Sequence, residues 1–332
     1  MSALPNMANP AGKPVEHGGD LSAVRRRFPD APLPWLDLST GINPVPYPVP
    51  DLPRDAWARL PAREQAEALI DAAAHRYGVA DRSTLVAAPG TQALIQALPR
   101  LVPKARVCIV GPTYEEHETC WRRQGHQVSV VATLDDARDA DVVVLVNPNN
   151  PDGRLVPVER LVAAARLLVV DEAFIDLLPA AASLAPTLPP RTVVLRSFGK
   201  TYGLAGVRLG FAIAGPDIAA ALRADLGPWA VSGPALEIGR VALADDAWLA
   251  ATAERLTADR RRLDEILVSA GFTIVGGTPL FCLADHPEAA STVDRLGRNG
   301  IHVRAFRQSP RRLRFGLPGD AASFDRLRTS LT

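Results

Sequence analysis

Cysteine is scarce in this chain of 332 residues. Cys108, Cys120 and Cys282 are odd in number and their spacings suit no metal. A disulfide framework and a thiolate metal centre are thereby set aside, leaving buried free thiols in a reducing compartment as the expectation. Net charge is nearly absent as well, at a formal +1. Lys and Arg are dispersed apart from small clusters at 25–27 and 260–262, which read as solvated helix faces, so no nucleic-acid partner is expected. No apolar run nears the length of a membrane span, the opening MSALPNMANPAGKP lacks the hydrophobic core of a signal peptide, and no repeat is found. A cytoplasmic protein acting on a small molecule, without membrane or resident metal, is what these absences leave.

Apolar residues make up 47% of the chain, enough for one large and one smaller core. The first fifty residues are rich in Pro and Gly and end in NPVPYPVPDLP, which reads as an extended arm ordered by packing. The segment REQAEALIDAAAHRYG predicts a helix closing at Gly78. Short apolar runs at 106–110, 127–131, 141–146, 167–170 and 192–195, bounded by Gly, Pro, Asn or Asp, predict buried strands, with helices such as 158–166 between several of them. The fold class is therefore α/β, with a mostly parallel sheet between helices whose strand ends carry the chemistry. Residues 216–270 read as mostly helical and are followed by strand-like pieces at 280–284 and 312–316, a smaller α+β domain. The expected division is an arm over 1–45 packing with the small domain, a large domain over 46–215, and linker helices with the small domain over 216–332.

The densest motif is SFGKTYGLAGVRLG, 197–210, in which a lysine sits among small residues with an arginine eight positions on. An aldehyde cofactor such as pyridoxal phosphate needs an amine to hold it covalently, and its phosphate needs hydroxyl, amide and guanidinium donors. Lys200, Ser197 and Arg208 are the candidates; a solvated lysine in a Gly-rich loop is the plain alternative. In LLVVDEAF, Asp171 ends an apolar strand, where a buried carboxylate needs a cationic partner such as a protonated pyridine nitrogen, unless it is a helix cap. Glu172 faces the other way if the strand continues. LVNPNNPDG ends another strand and offers Asn150, in preference to Asn147, to a ring hydroxyl, although a Pro/Asn turn reads the same. AAPGTQALIQAL is a glycine turn opening a helix, so Gly90 and Thr91 present free N–H groups to a phosphate. Tyr114 in GPTYEEH is placed either to stack on a flat ring or to fill core.

In combination, NPNNPDG, DEAF, SFGKTYGLAGVRLG and LRFGLP resemble the pyridoxal-phosphate enzymes of aminotransferase fold type I, in the histidinol-phosphate aminotransferase branch, over Gly90 to Arg314. The resemblance implies a homodimer in which Lys200 bears the cofactor and Asp171 pairs with its pyridine nitrogen. Asn150 then binds the ring oxygen, Tyr114 stacks, and Ser197, Arg208, Gly90 and Thr91 hold the phosphate. It puts Arg314 on the substrate carboxylate. HGGD at 17–20 followed by LDLSTGINP at 36–44 is similar to the threonine-phosphate decarboxylases of cobalamin biosynthesis. That similarity implies His17, Gly18 and Arg304, the last in GIHVRAF, on the substrate phosphate. The implied reaction is decarboxylation of L-threonine O-3-phosphate to (R)-1-aminopropan-2-yl phosphate. The alternatives are amino transfer on histidinol phosphate or a related amino acid, and a non-catalytic binding role. Three departures from the family pattern stand out: Phe174 and Leu60 where relatives carry tyrosines, and Gly199 where they carry a serine.

Overall fold

A computed structural model describes residues 18–137, 139–161 and 166–332. The strands are β1 (Leu36–Leu38), β2 (Leu85–Ala88), β3 (Arg106–Val110), β4 (Gln127–Val131), β5 (Val142–Val146), β6 (Leu167–Asp171), β7 (Thr192–Ser197), β8 (Gly210–Ala214), β9 (Thr273–Thr278), β10 (Phe281–Asp285), β11 (Ile301–Ala305) and β12 (Arg312–Gly316). Seven of them form one sheet in the order β2-β8-β7-β6-β5-β3-β4. The pairs from β7 through to β4 are parallel, while β8 runs antiparallel to both of its neighbours. Every residue of β5, VVVLV, is buried, because helices cover both faces of a parallel sheet and the strand needs no polar side.

The other five strands form a second sheet, β1-β11-β12-β10-β9, over its own apolar core of Phe272, Phe281, Phe315 and Phe324 among others. The arm supplies β1, which pairs in parallel with β11, Leu36 opposite Ile301. It also carries a short helix, Ser22–Arg27, so it is less uniformly extended than its prolines suggest. The predicted helix over 63–78 runs Arg63–Tyr77 and is closed by Gly78 in the left-handed conformation. In the region expected to be helical lie Pro216–Leu226, Gly233–Leu243 and the 24-residue helix Asp246–Ser269. Asp245 caps the last of these by accepting from the Trp248 N–H at 2.9 Å. Trp248 packs against the core of the seven-stranded sheet, while Leu256, Leu263, Ile266 and Leu267 belong to that of the five-stranded sheet. One helix thus bridges both bodies.

Strand alternation decides what lies on each side of the seven-stranded sheet. Asp171 pairs with Leu195 in register, so Asp171 and Ser197 share one face and Glu172 and Arg196 the other. On that second face Arg196 is buried against Glu172 at 3.3 Å and also bonds Asp176, with its guanidinium carbon 4.3 Å from the Tyr77 ring centroid. Glu172 also accepts from Ser183 Oγ at 2.6 Å and from the Leu184 N–H at 2.8 Å. Burial raises the Glu172 carboxyl above its ordinary range, opposed chiefly by Arg196. A buried guanidinium that loses one of its carboxylates costs about 3–5 kcal/mol, so Asp176→Ala is expected to lower the urea midpoint by that much stability, whereas the exposed Asp294→Ala stays within about 1 kcal/mol.

Candidate active site

The carboxyl ends of β5, β6 and β7 face the five-stranded sheet across a cavity of about 600 Å³. Lys200 lines it, held on the one-turn helix Phe198–Thr201 that follows β7 directly. Burial first, then like-charge repulsion from Arg314 and Arg208, lowers the Lys200 ammonium to about 8, with Asp171 working against them. At neutral pH a useful fraction of this amine is therefore unprotonated and nucleophilic.

Asp171, the last residue of β6, is buried and lines the same cavity. Its Oδ1 accepts from the Ala173 N–H at 3.0 Å, and its Oδ2 lies 3.0 Å from Nε2 of the buried His117. Sequence reasoning missed His117. The available signal was its position three residues after Tyr114, which a helix turn converts into a neighbour on the same face. Tyr114 stands at the start of the helix Glu115–Arg123, and its ring meets His117 edge-on at 6.1 Å. The Tyr114 hydroxyl donates to Gln92 Oε1 at 3.2 Å, and burial raises its pKa.

The opposite corner is a cradle for an anion. Gly90 caps the helix Thr91–Leu101 with φ +84°, a conformation that favours glycine, and leaves the first-turn N–H groups pointing outward. A Cβ there would lie 2.9 Å from Arg208 Nη2, so the absent side chain is what lets the guanidinium reach the helix end. Arg208 Nη1 donates to the Ala205 carbonyl at 3.1 Å, which aims the group. Thr91 and Ser197 line the cavity beside it.

The remaining candidates converge on the third side. Arg314 on β12 donates to Asn150 Oδ1, which turns the Asn150 amide N–H₂ away from it, and to the Ser39 carbonyl at 2.6 Å. Burial, with repulsion from Arg304, lowers Arg314 to about 10. Asn147 is spent on the chain itself, bracketing the Val156 backbone through both of its amide atoms. Gly18 and Arg304 line the cavity; His17 lies outside the described residues. Arg307 and Arg312, not singled out from the sequence, add two further guanidinium side chains to the same wall.

The aminotransferase class I and II family model matches residues 45–331. The chain belongs to that family. Within it, the chain is 44% identical to the threonine-phosphate decarboxylase of Pseudomonas aeruginosa over 328 residues, 96% of this chain and 97% of the relative. It is 31% identical to histidinol-phosphate aminotransferase 3 of Mesorhizobium japonicum, covering 81% of this chain and 80% of that one. The crystal structure of histidinol-phosphate aminotransferase from Sinorhizobium meliloti in complex with pyridoxal-5'-phosphate superposes with a TM-score of 0.81 at 25% identity, covering 94% of each chain.

This family member has a donor set that fits pyridoxal phosphate. An amine with a lowered pKa suits the aldehyde, a buried carboxylate the pyridinium, and a bare helix end with a guanidinium the phosphate. The departures have physical readings too. At Gly199 a Cβ would sit 2.7 Å from Ala205 Cα, so the serine of relatives does not fit this backbone. Phe174 brings an apolar ring to the site, in a T-shaped contact with Phe281 at 5.0 Å, and Lys200 Nζ lies over that ring 5.7 Å from its centroid. Leu60 is exposed.

Reductive methylation of Lys200 in the cofactor-free protein, followed by peptide mass spectrometry, is expected to rise with pH and level off above about 8. An ordinary lysine would inflect near 10.5, and at pH 7 would react roughly three hundredfold more slowly through its smaller neutral fraction. An inflection near 10.5 would remove the electrostatic account of the site.

Proposed function

We propose that the protein is a pyridoxal-phosphate-dependent decarboxylase that converts L-threonine O-3-phosphate to (R)-1-aminopropan-2-yl phosphate and CO₂, the reaction that supplies this aminopropanol unit to adenosylcobalamin. The observation that carries the reading is the cationic wall of Arg304, Arg307, Arg312 and Arg314, which the five-stranded sheet and the loop between β11 and β12 set opposite Lys200. A substrate bearing both a carboxylate and a phosphate matches that wall, and the 44% identity to a threonine-phosphate decarboxylase points the same way. Amino transfer on histidinol phosphate or a related amino acid is the second reading, favoured by the aminotransferase relatives.

When bound, pyridoxal phosphate supplies an electron sink for the pair left on the substrate α-carbon. Asp171, braced by His117 and the Ala173 N–H, is the carboxylate available to the pyridine nitrogen. Asn150, its oxygen held by Arg314, presents N–H groups to the ring oxygen. Gly90, Thr91, Ser197 and Arg208 hold the cofactor phosphate, and Tyr114 covers the ring. Arg314 would hold the α-carboxylate and so orient the substrate about its α-carbon. An anion there also relieves the repulsion between Arg314 and Arg304. Arg304, with His17 and Gly18, takes the substrate phosphate. Lys200 Nζ is the proton carrier for the α-carbon once CO₂ has left.

The same reading divides the chain into an arm over 1–45, a large domain over 46–215 and a small domain with its linker helices over 216–332; the pairing of β1 with β11 supports assigning the arm to the small domain. It also makes the protein a cytoplasmic homodimer. Trp57, Leu60 and Trp229 are 69%, 68% and 58% exposed, and the Ala56 carbonyl lies against Gly233, which brings together the segments that carry Trp57 and Trp229. No helix among the described residues is long and apolar enough to cross a membrane.

Purified protein with pyridoxal phosphate and L-threonine O-3-phosphate is expected to release CO₂ and aminopropanol phosphate, and Lys200→Ala to release neither. Transfer of the amino group of histidinol phosphate to 2-oxoglutarate without CO₂ would establish the second reading instead. Loss of a charge-assisted contact of about 1.5–3 kcal/mol predicts that Arg304→Ala raises KM for the phosphorylated substrate roughly ten- to a hundredfold. Trp57→Asp together with Trp229→Asp is expected to convert a dimer to monomers in analytical ultracentrifugation.

A further inference from the structure

Asn43, in the GINP stretch of the arm, is 2% exposed, and every polar atom of its side chain is engaged. Its Nδ2 donates to the Thr201 carbonyl at 2.9 Å, and its Oδ1 accepts from the Val45 N–H at 3.0 Å and from Arg255 Nη2 at 2.7 Å. Its own backbone N–H donates to the Lys200 carbonyl at 2.9 Å, and a few residues on the Tyr47 N–H donates to the Tyr202 carbonyl at 2.8 Å. The carbonyls of Lys200, Thr201 and Tyr202 thus find donors in residues 43–47, the Lys200 carbonyl also accepting from the Gly203 N–H at 3.3 Å. They end the helix Phe198–Thr201, which is too short to satisfy its last carbonyls by itself. The backbone that carries Lys200 is tied down from outside its own element.

Arg255 adds the second half of the observation. It lies on the helix Asp246–Ser269 between Trp248, which packs on the core of the seven-stranded sheet, and Leu256, which packs on that of the five-stranded sheet. Asp259 holds its other nitrogen at 3.1 Å. The arm makes the same crossing, with Leu38 in the five-stranded body and Tyr47 in the core of the seven-stranded one. Both crossings therefore meet at the Asn43 amide, against the turn of Lys200.

We propose that Asn43 is a positioning residue that holds the Lys200 turn closed against the cavity and, through Arg255, ties its position to the relative placement of the two sheets. The inference rests on the reading above only in choosing Lys200 as the group whose position matters. The charged groups that face Lys200 are Asp171 from β6, Arg208 from the loop before β8 and Arg314 from β12. Loosening the turn leaves all three in place and admits water to the amine.

The test is the rate and pH profile of reductive methylation of Lys200 in the cofactor-free protein, with Asn43→Ala, Asn43→Asp and Arg255→Met beside the parent. Asp320→Ala, which removes a distant cap on the C-terminal helix, controls for general loss of stability. The expected result is an inflection moved upward from about 8 by roughly one unit in Asn43→Ala, with methylation at pH 7.5 slowed about tenfold, and a smaller move of the same sign in Arg255→Met. Asn43→Asp, which keeps the acceptor but loses the Thr201 donor, is expected to fall with Asn43→Ala; Asp320→Ala is expected to match the parent. An unmoved inflection in folded Asn43→Ala overturns the proposal, and so does an equal shift in Asp320→Ala. Where Asn43→Ala does not fold, Arg255→Met decides alone by the same criterion. The readout uses formaldehyde, so a parent that fails to bind pyridoxal phosphate defeats the functional reading and leaves this measurement standing.

Discussion

Pleat alternation at the ends of β6 and β7 is the constraint on which the rest of the site depends. Two strands in parallel register place Asp171 and Ser197 toward the cavity and Glu172 and Arg196 away from it, one residue apart. The two faces differ in chemistry as well as direction. Beneath the sheet, both terminal nitrogens of Arg196 are held by Glu172, Asp176 and Ser183, and a buried guanidinium so paired is costly to rearrange in a low-dielectric interior. A slip of one residue in either strand would exchange the faces, burying Ser197 where Arg196 belongs and driving a guanidinium into the cavity. The buried cluster therefore stabilises a register, and the register holds the functional side chains in place.

Above the sheet the balance is deliberately unfinished. Lys200, Arg208, Arg304 and Arg314 share a cavity in which Asp171 is the carboxylate closest in effect to Lys200, and the repulsion shows in the lowered proton affinities of both Lys200 and Arg314. Such an arrangement is costly without an anion and relaxed with one. It selects ligands by charge before any shape is considered, and it keeps an amine reactive at neutral pH by the same electrostatics. Gly90 and Arg208 stand on the seven-stranded body, and Arg304 and Arg314 on the five-stranded one. Anions at both ends would draw the two bodies onto one occupant.

In the large sheet β3 to β7 were legible from their apolar runs, as in VVVLV and LLVVD, whereas β8, GFAIA, is equally buried and, like the four-residue β2, was not legible as a strand. The second sheet was half legible. β10 and β12 carry apolar runs, but β9 is TIVGGT and β11 is IHVRA, short and interrupted by glycine or charge, and β1 has three residues that become a strand only by pairing with β11. The predicted helix over 158–166 shows a described turn at Val158–Leu161. In the site, Lys200, Asp171 and Asn150 sit in motifs whose residue types announce their chemistry. His117 carried only the weak signal of its spacing from Tyr114, because the Asp171 it meets is 54 residues away. Asn43 was hidden for the same reason, since an Asn before a Pro reads as a turn until its contacts with Thr201 and Arg255 are known.

Phe174 and Gly199 show how a departure from a family pattern acquires meaning from its surroundings. Gly199 lies so close to Ala205 Cα that any side chain would push the Lys200 turn away from the loop carrying Arg208, so losing a serine hydroxyl accompanies a tighter turn. At Phe174, a tyrosine would bring to the Lys200 side of the cavity a hydroxyl able to share a hydrogen bond and a proton. Phenylalanine brings an apolar ring packed on Phe281 instead. Lys200 Nζ then has no phenol from position 174 competing for the proton at the substrate α-carbon. For amino transfer the proton must shuttle between two carbons, and a second polar group nearby assists. For decarboxylation a single delivery to one carbon suffices, and an apolar neighbour that does not trade protons with the amine serves that chemistry better.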